Sequence, residues 1–505
     1  MIKLHTHVRR HGSYQLECKT YYPLSSGAKN RYLVSLYLFF PQSLNINRKQ
    51  YSVPQVLQDC TTYTRFSSPS MTIGELLDVY NRQSPLQRIK KMLEKVREEK
   101  SYSLTDLEHE CKTLVNAYRV AMRHKNKISI KTKDGVPWYT RITQYVDEVV
   151  CFLKEVRTVF SLVSQYIPES KTLLLWTDES ISVIFVKYIG LLVRYEEKHF
   201  TQHPAKTLFQ PMLFDNQQYG IEKGFVSSCA DDARIQREYI YRCGELKKWS
   251  QSVLYLETQR RIRAVGSVHM VAGIAAAVGM TFSVIAALFA TRFFPSYSSP
   301  WILVIIISYI FKDRIKEVLR NILLKMLPHV LSDRDNKLID PTVKQKNKNI
   351  GHSRMTVEYL KIGQLPGHIK KAWRVFHHPL SDPERQEKVM YLKKNLLIEP
   401  QKILKQHSRV HGLTEIVRLK CQEWVKEMND RADVHAFHDG SFIRKVIPKN
   451  YEVPLLLELR DERRKKIYIQ RFRILLDYNG IIDIDRVTTN KEVNEDNSIE
   501  SSTTV

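Results

Sequence analysis

His435, His438 and Asp439 lie together in the run HAFHD. Imidazole nitrogens beside a carboxylate are the donor types that hold a catalytic zinc ion. Two other histidine groups share the property. His199 and His203 follow Glu196 and Glu197 at i,i+4 spacing, and His377 and His378 precede Pro379 and Asp382. A catalytic metal needs three correctly placed ligands, and none of these spacings supplies all three. With 17 histidines in the chain, such groupings arise by chance. The sequence therefore predicts no metal and no cofactor, and leaves His435, His438 and Asp439 as the candidates for a membrane-bound metal-dependent hydrolase or transferase. Dinucleotide-binding, P-loop, nucleophile-elbow and HExxH patterns are absent, so no catalytic residue is assigned.

Positive charge is the second chemical signal. Lys and Arg exceed Asp and Glu by 26, and the excess lies on both sides of a central apolar block. Anionic lipid, nucleic acid or an acidic protein surface are the partner classes such a balance suits. Arg123, Lys125, Lys127, Lys131 and Lys133 form one acid-free cluster; Lys344, Lys346 and Lys348 form another. Arg463, Arg464, Lys465 and Lys466, with Arg471 and Arg473 beyond them, bracket Tyr468 and Phe472. Phosphates on the cations and bases stacked on the rings would make a nucleic-acid site. Against an anionic leaflet each cation is worth about 1 kcal/mol. The lipid reading is preferred because of the apolar block.

Ala264 to Thr291 contains no charged residue, and about 20 helical residues cross a ~30 Å hydrocarbon core. Gly273 with Ala277, and Ala275 with Gly279, have the small-xxx-small spacing that lets a second helix approach. Phe293 to Phe311 gives a second, weaker run, with Ser299 as N-cap before Pro300. Arg260, Arg261 and Arg263 precede the pair, Lys312, Arg314, Lys316 and Arg320 follow it, and only Arg292 lies between. The positive-inside rule then predicts a two-span hairpin with both termini cytoplasmic, in a bacterial inner membrane. Apolar residues at steps of three and four from Ile235 to Leu256, and again from Ile315 to Met326, extend the spans into a helical stalk.

The flanks must position these groups. Gln15–Thr20 alternates and YLVSLYLFF, residues 32–40, is apolar on both faces, so residues 1–80 read as a β-rich unit. Residues 81–263 read as a helical cytoplasmic region, 264–311 as the hairpin, and 312–350 as a juxtamembrane helix and polar linker. Residues 351–490 read as an α+β domain: an amphipathic helix capped by Thr414, then strands and an Asn479-Gly480 hairpin turn. Residues 491–505 read as a disordered acidic tail. Seven scattered cysteines without a CxxC pair suit a reducing compartment.

The expected fold is thus an α+β membrane protein: an N-terminal β unit and helical bundle, a central transmembrane hairpin with a helical stalk, and a C-terminal mixed α/β cytoplasmic domain. The expected role is an anchor or scaffold that presents two basic cytoplasmic domains at a membrane of anionic headgroups, with a protein partner or further copies of the chain. A membrane-tethered nucleic-acid-binding effector is the other alternative.

Overall fold

Tyr32–Phe40 is apolar on both of its faces, and a strand of that kind needs cover on both. It receives that cover at the centre of a large sheet. The computed structural model describes residues 4–488, apart from 26, 28, 132–134, 201–203, 227–231, 261–263, 296–297, 331–332, 343–348, 377–387, 427, 429 and 439–441. The expected acidic tail and the basic cluster Lys344, Lys346 and Lys348 lie outside the described residues. The chain divides into two units: residues 1–64, 256–403 and 414–505 form the first, and 65–255 with 404–413 form the second.

The first unit is built on strands. In chain order these are β1 (His5–Arg10), β2 (Gln15–Pro23), β3 (Asn30–Phe40), β4 (Cys60–Phe66), β5 (Glu257–Arg260), β6 (Arg334–Ile339), β7 (Asn349–Lys361), β8 (Lys388–Ile398), β9 (Gly412–Lys420), β10 (Ala432–His438), β11 (Phe442–Pro448), β12 (Tyr451–Asp461), β13 (Lys466–Asp477) and β14 (Gly480–Arg486). Eight of them form an antiparallel sheet in the order β14-β13-β12-β3-β8-β7-β6-β5. A second sheet has the order β1-β2-β9-β4, and β10 and β11 make a separate hairpin.

Alternation along β3 sends its side chains to two different layers. Tyr37 stacks on Tyr391, and Phe39 lies 5.7 Å from Trp373 of the short helix Gly367–Trp373. On the opposite face Tyr32 packs on Tyr22 of β2, and Phe40 meets Trp424 edge-on at 4.9 Å. The four-stranded sheet therefore covers that face. A buried ion pair lies between the two sheets. The Lys394 ammonium of β8 stands 2.6 Å from Glu415 Oε1 of β9, close enough for a strong pair though not aligned as a hydrogen bond. Tyr22 donates to Glu415 Oε2 at 3.0 Å and Thr64 to Oε1 at 3.4 Å.

These pairings correct the expected architecture. The N-terminal strands form no unit of their own, because β3 takes β8 and β12 as its neighbours. The stretch expected to be a polar linker holds β6 and the start of β7. The helix expected from Thr414 is strand β9. Its inward positions include the charged Glu415, which hid the two-residue period, and outward Arg418 pairs with Glu17 of β2 at 2.8 Å. Of the expected helical stalk only the downstream half is present, since Ile315–Met326 fall within the helix Ser299–Val330. The upstream helix stops at Gln251, and the chain then enters β5.

The second unit is a helical bundle with elements at Ile73–Leu77, Pro85–Arg97, Leu104–Lys131, Gly135–Tyr166, Lys171–His199, Pro204–Glu222 and Ala233–Gln251. Thr72 and Glu75 close a capping box on the first of these. Tyr118 stacks on Phe152 within the core, and Ile181, Phe185, Ile189 and Leu192 bury one side of the fifth helix. The segment 404–413 is fixed to this bundle by a buried two-point contact: Arg409 Nη1 and Nη2 reach both oxygens of Glu110 at 2.8 and 2.7 Å. Arg242 grips Glu179 with Nε on Oε1 at 3.0 Å and Nη2 on Oε2 at 2.6 Å.

Two outcomes follow for stability. Glu415→Leu leaves the Lys394 charge without its counter-ion and should cost about 3–5 kcal/mol, whereas the double variant Lys394→Met/Glu415→Leu should fall within about 1 kcal/mol of the parent or exceed it. Denaturant unfolding of both checks this; equal losses in single and double variants would refute it. The second concerns acid. Burial alone would raise the Glu17 carboxyl, but the guanidiniums of Arg418 and Arg9 overcome it and hold the group below its ordinary value. Its stabilising contribution is complete above the unfolded value and disappears as pH falls through the folded one. Arg418→Met should cost about 1–2 kcal/mol at neutral pH and move acid unfolding to higher pH. An unchanged acid midpoint by circular dichroism would contradict it.

Candidate interaction surfaces

Between β5 and β6 the chain leaves the sheet as two helices, Ala264–Phe293 and Ser299–Val330. They pack against each other antiparallel. A Cβ placed on Gly279 would stand 3.0 Å from the Lys312 carbonyl oxygen and 3.5 Å from Lys316 Cβ. Ala275, Gly279 and Ala290 are buried along this contact, while Gly273 and Ala277 face outward with nothing within 4 Å of a Cβ at Gly273. Of the two small-residue pairs in the sequence, the structure places Ala275 and Gly279 at the helix contact and Gly273 and Ala277 off it.

Among the described residues one helix is long and apolar enough to cross a membrane, Met270–Phe293, with a mean hydropathy of 2.1. The expected two-span hairpin is therefore corrected. The second helix begins only at Ser299, with Ser298 as its N-cap: Trp301 N–H donates to Ser298 Oγ at 3.4 Å. Phe294, Pro295 and Ser298 lie in neither helix and add nothing to the span. The uncharged part of that helix, Ser299–Phe311, covers about 20 Å, short of the ~30 Å hydrocarbon core. Its register makes the shortfall concrete, because Lys312 and Lys316 lie beside Gly279, in the middle of the apolar helix.

Only 17% of the most apolar stretch of Met270–Phe293 is buried within the structure. Ile285, Leu288 and Phe293 are each more than 60% exposed. Ile302, Leu303, Ile306 and Ile310 on the second helix are exposed as well. Fully covering an aliphatic or aromatic side chain is worth about 1.5–3 kcal/mol. Ten large apolar side chains stand exposed between Met270 and Phe293, so covering this surface is worth on the order of 10 kcal/mol even if each is half covered already.

The basic clusters are scattered by the fold. Arg123 and Lys127 lie exposed on the helix Leu104–Lys131, which also contains Lys131. Lys125 is paired with Glu148 at 2.8 Å, and Lys133 lies outside the described residues. Arg463, Arg464 and Lys465 lie in the turn from β12 to β13 and Lys466 opens β13, with Arg464 paired to Asp461 and Lys465 at a positive φ of 51°. Phe472 is buried in the sheet and Arg473 is paired with Glu452, so that ring is closed to a stacking base.

His435 and His438 lie on β10, a strand where a loop was expected. At three positions apart on a strand they point to opposite faces. Asp439 lies outside the described residues, as do His203, His377, His378 and Asp382. His199 ends its helix exposed, with Nδ1 2.9 Å from the Tyr195 carbonyl. Among the described residues no three His, Cys, Asp or Glu side chains are placed to hold a metal ion. The β10–β11 hairpin went unread in the sequence; it exposes Val434, Phe437, Phe442 and Val446. No protein-family model, curated protein or solved structure matches the chain.

The two glycines of the first helix should respond in opposite directions. Gly279→Leu should cost about 1–3 kcal/mol by forcing the helices apart, and Gly273→Ala should add about 0.5–1 kcal/mol through helix propensity alone. Thermal unfolding of the full chain in mild detergent distinguishes them; the same response from both would remove Gly279 from the helix contact.

Proposed function

We propose that the chain is a membrane-anchored scaffold. The apolar helix Met270–Phe293 rests in lipid, and the basic surfaces of the protein meet anionic headgroups while a protein partner or further copies of the chain are recruited. The observation that carries this reading is the exposed apolar surface of that helix: ten large side chains that stand exposed, on an element that a soluble core would have buried. Charge supports it. The helix follows Arg260, Arg261 and Arg263, and cations at the polar end of an apolar segment favour an anionic leaflet. The nucleic-acid alternative loses support from the burial of Phe472, and the metal-enzyme alternative from the opposed His435 and His438.

The test is flotation of the full chain with vesicles of neutral phospholipid, with and without an anionic phospholipid. The chain should float with both, resist an alkaline carbonate wash, and bind the anionic vesicles more tightly at low salt. Ile285→Glu/Leu288→Glu should abolish flotation while leaving circular dichroism unchanged. A chain that stays monodisperse in plain buffer and does not float would overturn the anchor. A chain that floats but carries no stoichiometric partner and does not self-associate would overturn the scaffold.

A further inference from the structure

The helical unit holds a cavity of about 650 Å³ between the helices Gly135–Tyr166, Lys171–His199 and Pro204–Glu222. That size lies within the range of small-molecule sites. Leu153, Leu162, Phe185 and Met212 give it an apolar lining. Lys154, Arg157 and Lys223 line it as well.

Arg157 is held rigidly. Its Nη2 donates to Asn216 Oδ1 at 2.7 Å and Ser182 Oγ at 3.3 Å, and its Nε to Asp178 Oδ1 at 3.4 Å. The guanidinium lies 3.7 Å from the centroid of the Tyr219 ring, and the Tyr219 hydroxyl donates to the other Asp178 oxygen at 2.6 Å. These contacts come from two helices and leave Nη1 without a hydrogen bond to a described residue. A guanidinium whose rotamer is already fixed loses little entropy on binding an anion. Asp178 is matched by Arg157 and Tyr219. Lys154 and Lys223 form no ion pair with a described residue, and Lys223 Nζ stands 5.5 Å from the Tyr219 ring centroid. Asp215, which is exposed, is the remaining acid of the lining. The balance is positive, together with the apolar lining.

We infer that this cavity binds an amphiphilic anion, with a carboxylate or phosphate headgroup on Arg157 Nη1, Lys154 and Lys223, and an apolar body against Leu153, Leu162 and Met212. The inference concerns the helical unit alone and does not rest on the membrane reading. A cation is disfavoured by the charge balance, and a purely polar anion would leave the apolar lining wet.

Photo-crosslinking of the full chain with a diazirine-bearing decanoate and a diazirine-bearing decyl phosphate tests it, read by peptide mass spectrometry, with the matching decanol as the neutral control. Either anion should label residues 150–162 and 212–223, with at least tenfold less labelling by decanol. Excess inorganic phosphate should compete with decyl phosphate only weakly, since the headgroup alone lacks the apolar contact. Lys154→Glu/Lys223→Glu, at exposed positions, should lower the labelling about tenfold; Met212→Trp, which fills the cavity, should do the same while the lysines remain. Strong labelling by decanoate alone would identify a free carboxylic acid as the ligand class, and by decyl phosphate alone a phosphate ester. No labelling of these segments, equal labelling by decanol, or labelling unchanged in both variants would each overturn the inference.

Discussion

A strand that is apolar on both faces cannot lie at a surface, and β3 imposes that constraint on everything around it. Its neighbours, β8 and β12, come from the far half of the chain. Their pairing unites the two ends of the sequence in one unit, with the helical bundle and the helical hairpin as excursions from it. The faces of β3 then set the layers: Tyr37 and Phe39 demand the helix Gly367–Trp373, and Tyr32, Val34 and Phe40 demand the second sheet. The Lys394–Glu415 pair lies in the second of these layers. Such a pair adds little net stability compared with hydrocarbon of the same shape. It does fix which strand of one sheet faces which strand of the other, since either charge alone in that position is costly.

Charge and hydrophobicity are distributed in opposite ways in this protein. The cations are dispersed over many elements, and several are already neutralised by carboxylates, such as Lys125 by Glu148 and Arg464 by Asp461. The exposed apolar area is concentrated, in the helical hairpin above all and secondarily in the β10–β11 hairpin. A dispersed field gives attraction without orientation, whereas a concentrated apolar surface gives a definite point of attachment. The proposed anchor uses both, the first to bring the chain to a surface and the second to hold it.

How much of this was legible in the sequence depended on the range of the interactions. The helices of the bundle, the apolar helix and the Asn479-Gly480 turn, with Gly480 at a φ of 117°, are local decisions that periodicity and composition record. Strand partners are not local, so nothing in residues 32–40 says that β8 and β12 flank them. Strand β9 does not read as a strand because its inward residue Glu415 is charged, and Lys394, Tyr22 and Thr64, all remote in sequence, make that burial tolerable. Charge alone does not mark where the second helix of the hairpin begins, because Phe293–Ser298 is uncharged; the break shows in backbone geometry, where Ser298 N–H bonds the Pro295 carbonyl at 3.2 Å and the helix starts at Ser299. The cavity in the bundle was invisible for the same reason as the sheet order, since Arg157, Asp178 and Tyr219 meet only when three helices do.

The root of the helical hairpin has a further meaning. β5 and β6 are adjacent antiparallel strands, with Arg260 opposite Asn336, so the two ends of the excursion stand about one strand spacing apart. A tight turn could close that gap as well as 60-odd residues of helix do. Geometrically the hairpin is a cassette mounted on a sheet edge, and the sheet does not need it for closure. Nothing in the strand pairing of the core passes through the apolar element, so the requirements of the fold and the composition of that element are set independently of each other.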